Sequence, residues 1–313
     1  MEATSRRDLV VIGCSAGGVE ALPIIMHQLP KDLEAAVCIV QHMAATSTPY
    51  LVDILQRSSE LPIRWAEQGE KLQRGHVYVA PPDLHLLIGD GHMTLSRSAR
   101  ENHSRPSIDK LFRSAAANHG SGVIATLLTG MMEDGVAGLR AVRDAGGVVL
   151  VQDPATAAFA ELPRRALLAL VPDRTLPIQE VGTAIKELAG QPVKPVPIPN
   201  EIRLEAQMDG AGIANPADLD ALGRQTPVSC PECAGPTWQI GDPLSRRFRC
   251  YVGHVTTAHQ LLETSVAQLE TALWSAARAP RSRLDAADPR DRLRAPGSHA
   301  DRGGVSHARA RER

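Results

Sequence analysis

Aromatic residues make up only 3% of this 313-residue chain, so any core must be assembled from aliphatic side chains. An excess of charge of one sign is lacking as well: 34 Lys and Arg against 35 Asp and Glu leave a net charge of -1. That balance offers no electrostatic footprint for nucleic acid or an anionic membrane surface, and no nucleic-acid partner is expected. No apolar run approaches transmembrane length, and the stretch before Leu9 is too polar for a signal peptide, so no membrane insertion is expected. Cysteine is scarce and odd in number. Three of the five crowd between Cys230 and Cys250, which argues against a disulfide framework and for a reducing, cytoplasmic location.

What is present, up to about Gly190, is an alternation of short β-rich runs with amphipathic stretches. Strands are predicted at Leu9–Ile12, Ala36–Gln41, His76–Ala80, Leu84–Ile88, Val123–Leu128 and Gly147–Val151. Helical patterns at Val19–His27, Pro49–Ser58, Ile108–Ala117 and Gly135–Ala145 separate them. Such a pattern predicts an α/β fold with a doubly wound, mostly parallel sheet. A Pro-Pro-Asp turn between His76–Ala80 and Leu84–Ile88 predicts that these two form an antiparallel hairpin at one edge.

In open α/β sheets chemistry sits beyond the carboxyl ends of the strands. Three such loops carry reactive residues. Gly13-Cys14-Ser15-Ala16-Gly17 matches G-x-S-x-G, which lifts a serine hydroxyl out of a sharp strand-to-helix turn. The same loop lacks the second glycine of a dinucleotide fingerprint, because Ser15 stands there. His42 ends the run Val37–Gln41, and Asp134 lies in the loop after Val123–Leu128, where an aspartate also commonly caps the next helix. Singly each is ordinary. Together they fit a nucleophile, a base and an orienting acid in the chain order Ser, His, Asp, which differs from that of α/β-hydrolases.

The segments "VVIGCSAGGVEAL", "IVQHM", "VYVAPPDLHLLI", "RPSIDKLFRSAA", "LLTGMMEDGVAGL" and "VQDPATAAFAELPRRAL" resemble, in order, the catalytic domain of the CheB family of chemotaxis protein-glutamate methylesterases. The resemblance covers about residues 8–190. It implies hydrolysis of glutamate γ-methyl esters, and in many members deamidation of glutamine, on methylated chemoreceptors or receptor-like proteins. It implies Ser15 as nucleophile, His42 as base, Asp134 as the acid behind it, Met131 as an oxyanion donor through its backbone N–H, and no cofactor for catalysis. Arg105 and Asp109 are implied as substrate contacts, with Arg105 as a surface charge and Ser107 as a helix cap the plainer readings. Ala16 replaces the family's usual threonine beside the oxyanion, and Met132 replaces a glycine. These departures keep a second reading open, a catalytically weakened regulatory or scaffold module. The catalytic strand begins at Leu9, so the family's usual N-terminal receiver domain is not expected.

Beyond residues 1–190, the Pro/Gly-rich stretch 191–229 reads as a linker. Cys230 and Cys233 then form a C-x₂-C pair, and Cys250 and His254 a C-x₃-H pair. Two pairs of soft ligands separated by a short hairpin suit a structural zinc ion, with His259 as a substitute for His254. The expected result is an independent zinc-ribbon-like module over 230–277, ending in a helix from about Thr256. Leu262, Val266, Leu269 and Leu273 form a seam on that helix, expected to pack on the module, with a coiled-coil dimer through the helix as the alternative. Residues 278–313 carry a charge-rich tail predicted to be disordered.

Overall fold

The structure, a computed structural model, describes residues 5–46, 50–243 and 245–286, with side chains to residue 278. Described residues up to Leu262 belong to one compact unit and those from Glu263 to a second.

Short β1 (Ser5–Arg6) precedes β2 (Leu9–Cys14), α1 (Gly18–Met26), β3 (Ala36–Gln41), α2 (Leu51–Gln56), β4 (Ile63–Trp65) and β5 (Val77–Val79). Next come β6 (His85–Ile88), β7 (Met93–Ser96), α3 (Ile108–His119), β8 (Val123–Leu127), α4 (Val136–Asp144) and β9 (Val148–Gln152). The α/β part closes with α5 (Glu161–Ala169), β10 (Arg174–Leu176), α6 (Ile178–Leu188) and β11 (Pro192–Val193). Seven strands form a parallel sheet in the order β10-β9-β8-β2-β3-β5-β4. Alternation along β2 sends Leu9 and Val11 to one face, packed with α3, α4 and α5. It sends Val10 and Ile12 to the other, packed with α1, α2 and α6. The doubly wound fold is therefore the one expected. Because the chain leaves β2 toward β3 and later returns to its other side at β8, the sheet's switch point lies at β2.

An antiparallel hairpin is also present, but its partners differ from those expected. His85–Ile88 pairs with Met93–Ser96 across the turn at Gly89–Gly91, whereas Val77–Val79 lies inside the parallel sheet between β3 and β4. The Pro-Pro-Asp segment is a crossing between sheets, not a hairpin turn.

The stretch expected to be a linker is folded. It holds α7 (Asn200–Ala211), α8 (Pro216–Leu222) and β12 (Gly223–Ser229). Two of its prolines mark helix starts: Pro199 precedes α7 and Pro216 takes the first position of α8, where the Asn215 side chain accepts from the Ala217 N–H at 3.1 Å. β12 continues into a four-stranded antiparallel sheet with β13 (Pro236–Ile240), β14 (Arg247–Cys250) and β15 (Val255–Thr257). This sheet is not an independent module. Arg113 of α3, itself buried, forms ion pairs with Glu101 and with Glu205 and Asp209 of α7, and Arg247 and Arg249 of β14 join the same carboxylates. Three guanidinium and three carboxylate groups so enclosed stay charged only as a set, since each would otherwise be an unpaired buried ion.

The last described helix, α9 (Ala258–Ala286), extends nine residues into the expected tail; 287–313 lie outside the described residues. In the first unit its buried residues are Gln260 and Leu261, not Leu262, which is 65% exposed. In the second unit Val266, Leu269, Leu273 and Trp274 are each more than half exposed, so the packing expected of the seam is not observed within it.

Candidate active site

Three loops at the carboxyl ends of β2, β3 and β8 converge at the switch point. Ser15 follows β2, His42 follows β3 and Asp134 lies in the loop after β8, all from neighbouring strands. Ser15 Oγ stands 3.2 Å from His42 Nδ1, and His42 Nε2 stands 2.7 Å from Asp134 Oδ2. An ionised carboxylate only accepts, so Nε2 carries the ring hydrogen, and Nδ1 keeps a lone pair for the serine hydroxyl.

Glycine makes this convergence sterically feasible. A Cβ at Gly130 would lie 2.9 Å from the Ser15 Cβ, closer than real Cβ contacts come. Gly17, at φ 79, turns the chain from Ser15 into α1. Gln41, buried at the end of β3, donates from Nε2 to the carbonyls of Ser15 and His42, 2.9 Å each. Its Oε1 accepts from the Cys14 thiol. Cys14 and Cys38 are the buried apolar residues expected, their thiols held well above the usual range by burial. Sequence reasoning missed Gln41, although a polar residue closing an apolar strand was its visible signal.

Asp134 is the most heavily solicited side chain. It does not cap α4, whose N-cap is Gly135. It reaches instead to the N-terminus of α3, accepting from the backbone N–H groups of Ile108 at 2.7 Å and Asp109 at 3.3 Å. The Ser107 hydroxyl adds a 2.8 Å bond and the Asn102 amide one of 3.2 Å. Burial alone would raise its pKa, but the His42 hydrogen bond and charge, the Ile108 N–H and the Ser107 hydroxyl hold it below the usual carboxylate value. The α3 dipole acts in the same direction. Asp109 is the opposite case. Buried beside Asp134, it is pushed well above the usual value by desolvation and by the charges of Asp134 and Glu101. It accepts from the Gly138 N–H and from Asn102, so it binds structure rather than presenting itself to a substrate. Ser107 is the helix cap foreseen, accepting from the Lys110 N–H while its hydroxyl serves Asp134. His85, whose Nδ1 accepts from the Ser107 N–H, is kept neutral by burial, its pKa lowered to about 3.

Arg105 lines a cavity of about 220 Å³ with His42, Met43, His103, Ser104 and Pro106. Its guanidinium is committed, with two bonds to Asp83 and two to the carbonyls of Arg97 and Ser98. Among the described residues, no protein group accepts from the backbone N–H of Ala16 or Met131, which flank the serine on two loops. The Ser15 and Gly130 N–H groups, by contrast, are spent on Thr129 and Phe159. Met132 sits at φ 67, so the position does require the left-handed backbone that glycine adopts freely.

A second constellation lies on the four-stranded sheet. Cys230 and Cys233 occupy the turn between β12 and β13, while Cys250 ends β14 and His254 closes the turn before β15. Their donor atoms all lie within 4.8 Å of one another. A tetrahedral zinc ion would set two sulfurs about 3.8 Å apart and a sulfur and a nitrogen about 3.5 Å apart. The Cys233 and Cys250 sulfurs are 3.7 Å apart, and Cys250 Sγ lies 3.6 Å from His254 Nδ1, so the donor set fits. His259 is not part of it; it lies 3.8 Å from Glu133.

No described helix is long and apolar enough to cross a membrane. Comparison with known proteins converges on the same half of the molecule. A family model described as CheB methylesterase matches residues 10–185. The protein-glutamate methylesterase/protein-glutamine glutaminase 2 of Anaeromyxobacter dehalogenans is 41% identical over 184 residues, 59% of this chain and 54% of the relative. This chain thus spans about half of that relative's length. A putative protein-glutamate methylesterase/protein-glutamine glutaminase of Leptospira interrogans is 40% identical over 176 residues, 56% of this chain and 91% of its own. The crystal structure of the Thermotoga maritima CheB methylesterase catalytic domain superposes with a TM-score of 0.57 at 34% identity, covering 60% of this chain and all of that one. With the family model matching over half of its length, the chain belongs to the CheB methylesterase family.

Proposed function

We propose that this protein is a serine esterase that hydrolyses glutamate γ-methyl esters on a methylated chemoreceptor or receptor-like protein in the cytoplasm. Glutamine deamidation is a secondary activity of the same site. The observation that carries the reading is the unbroken relay from Ser15 Oγ to His42 Nδ1 and from His42 Nε2 to Asp134. His42 takes the serine proton as Oγ attacks the ester carbonyl. The charge that develops on the carbonyl oxygen meets the Ala16 and Met131 N–H groups, each such donor being worth about 10²–10³ in rate. His42 returns the proton to the departing methanol, and water then releases the glutamate by the same path. Asp134 keeps Nε2 protonated and steadies the imidazolium. Arg105, fastened to Asp83, shapes the cleft wall beside His42.

In the second constellation Cys230, Cys233, Cys250 and His254 hold one structural zinc ion that takes no part in the chemical steps. A fluorophosphonate probe tests the nucleophile. It should label the wild-type chain at Ser15 and leave Ser15→Ala unlabelled, and the same variant should release no methanol from a methylated receptor fragment. Equal labelling of the two proteins would refute the assignment.

A further inference from the structure

The two constellations meet at a single strand. β15 begins at Val255, the residue directly after the metal-site donor His254, and is three residues long. The Val255 carbonyl accepts from the Asn102 N–H at 2.8 Å, while the Val255 N–H donates to the Arg100 carbonyl at 3.4 Å. Two residues on, the Thr257 hydroxyl donates to Glu133 Oε1 at 3.1 Å. Asn102 and Glu133 are no ordinary neighbours: the first donates its amide to both Asp134 and Asp109, and the second precedes Asp134 in the chain. From the first ligand turn, Glu232 reaches His103 at 2.8 Å. Strand β15 thus grips the segments on both sides of the triad carboxylate.

β15 is the outer strand of its sheet, buried over Val255–Thr257, paired with β14 through Arg247–Arg249 and bridged at Val255 to Glu101 on its other side. The turn leading into it is closed by two backbone bonds, Cys250 N–H to His254 carbonyl and Gly253 N–H to Cys250 carbonyl. Coordination by Cys250 and His254 would lock that turn to the Cys230–Cys233 turn across the sheet. Turns with few bonds open readily unless tied down.

We propose that metal bound by Cys230, Cys233, Cys250 and His254 braces the catalytic triad, acting through β15 on Asn102 and Glu133, with Asn102 as a positioning residue for Asp134. The proposal rests on the esterase reading for its kinetic consequence, not for its structural one. Metal occupancy then sets how well Asp134 and His42 are aligned, and loss of zinc lowers turnover without dismantling the α/β sheet.

The test uses the full chain, zinc-loaded and after chelation, followed by hydrogen exchange and by kinetics on a p-nitrophenyl ester. The loaded protein should contain one zinc per chain. Chelation should speed amide exchange across 100–109 and 129–136 while 9–14, 36–41 and 123–127 stay protected. It should also lower kcat by about 10-fold or more with KM little changed, the usual scale for outer-shell support. Asn102 sits at φ 52, so Asn102→Gly keeps the backbone and removes the amide alone. It should reproduce the kcat loss with zinc still bound. Thr257→Val should give a smaller loss in the same direction. Unchanged exchange over 100–109 after chelation overturns the brace, and so does exchange that accelerates throughout the parallel sheet. If Ser15→Ala hydrolyses the ester as well as the parent, the esterase reading fails, and the exchange pattern still decides the brace.

Discussion

Replacing Met132 by glycine should make the protein more stable, although it deletes a side chain. Met132 occupies φ 67 in the loop between β8 and α4. The left-handed region costs an L-residue about 1–2 kcal/mol through the clash of Cβ with the following carbonyl. Glycine removes that cost but adds unfolded-state entropy worth about 0.5–1 kcal/mol. The methionine side chain is 41% exposed, so the burial lost on deletion is modest. The balance is a gain of about 0.5–1 kcal/mol, or about 1–4 °C in Tm for a unit of this size. Two companion variants isolate the backbone cause. Met132→Ala keeps the strained φ and should give no gain, and Met132→Val should lose about a further 1 kcal/mol because a β-branched residue fits that region worse. Urea unfolding of the four proteins reads this directly, with midpoints ordered Gly, then Met and Ala together, then Val, at unchanged slope. If alanine stabilises as much as glycine, the effect is side-chain exposure and the backbone reasoning is wrong.

Asp134→Asn should leave the fold in place and lower ester hydrolysis by about 10³–10⁴, because an amide permits the wrong His42 tautomer; adding His42→Ala should cost little more, and additive losses would show the two act separately. Arg113→Met should destabilise the protein by about 3–5 kcal/mol in thermal or urea unfolding by taking from buried Glu101 its nearest cation and leaving Asp209 to Arg249, and a loss below 1 kcal/mol would show that the enclosed charges are not coupled. His85 gives a pH signature. Its pKa lies near 3 when folded against an ordinary value of 6.5, so the unfolded chain binds the extra proton between those values. Stability contributed by the neutral ring is complete above pH 6.5 and falls on acidification, by about 2 kcal/mol between pH 6.5 and 5. His85→Gln should flatten that slope in urea midpoints measured at both pH values, and an equally steep variant would exclude His85 as the source.

The parallel sheet was legible because each buried strand is a short aliphatic run and each covering helix repeats at helical spacing. The triad was legible for a related reason: Ser15, His42 and Asp134 each sit one to seven residues past such a run, where the fold must expose them. Periodicity does not reveal partners. β4 and β10 are three residues long and carry too little pattern to be seen, and the mispaired hairpin at Val77–Val79 followed from trusting a proline turn over burial on both faces. The support around Asp134 was hidden for a different reason. Asn102 and Ser107 lie in a loop and at a helix start, and His85 opens β6; only the three-dimensional path brings the first two within reach of one carboxylate and sets His85 behind Ser107. Residues 191–229 were misread because proline marks both flexible chain and helix N-termini, and the distinction lay in what the helices bury.

The buried ion cluster has a consequence for where this protein can be cut. Family resemblance ends near residue 185, and an expression boundary drawn there looks natural. Such a fragment would keep Arg113 and Glu101 on the α3 side but discard Glu205, Asp209, Arg247 and Arg249. It would also uncover Lys110, whose ammonium lies buried against Ser98 and the Ala99 carbonyl. The face of α3 opposite the sheet was built to be enclosed, and its charges are matched only when the chain continues through β14. The working unit of this protein is therefore nearly eighty residues longer than its recognisable homology, and it should be produced, shortened or grafted onto another protein with its end placed after Leu262.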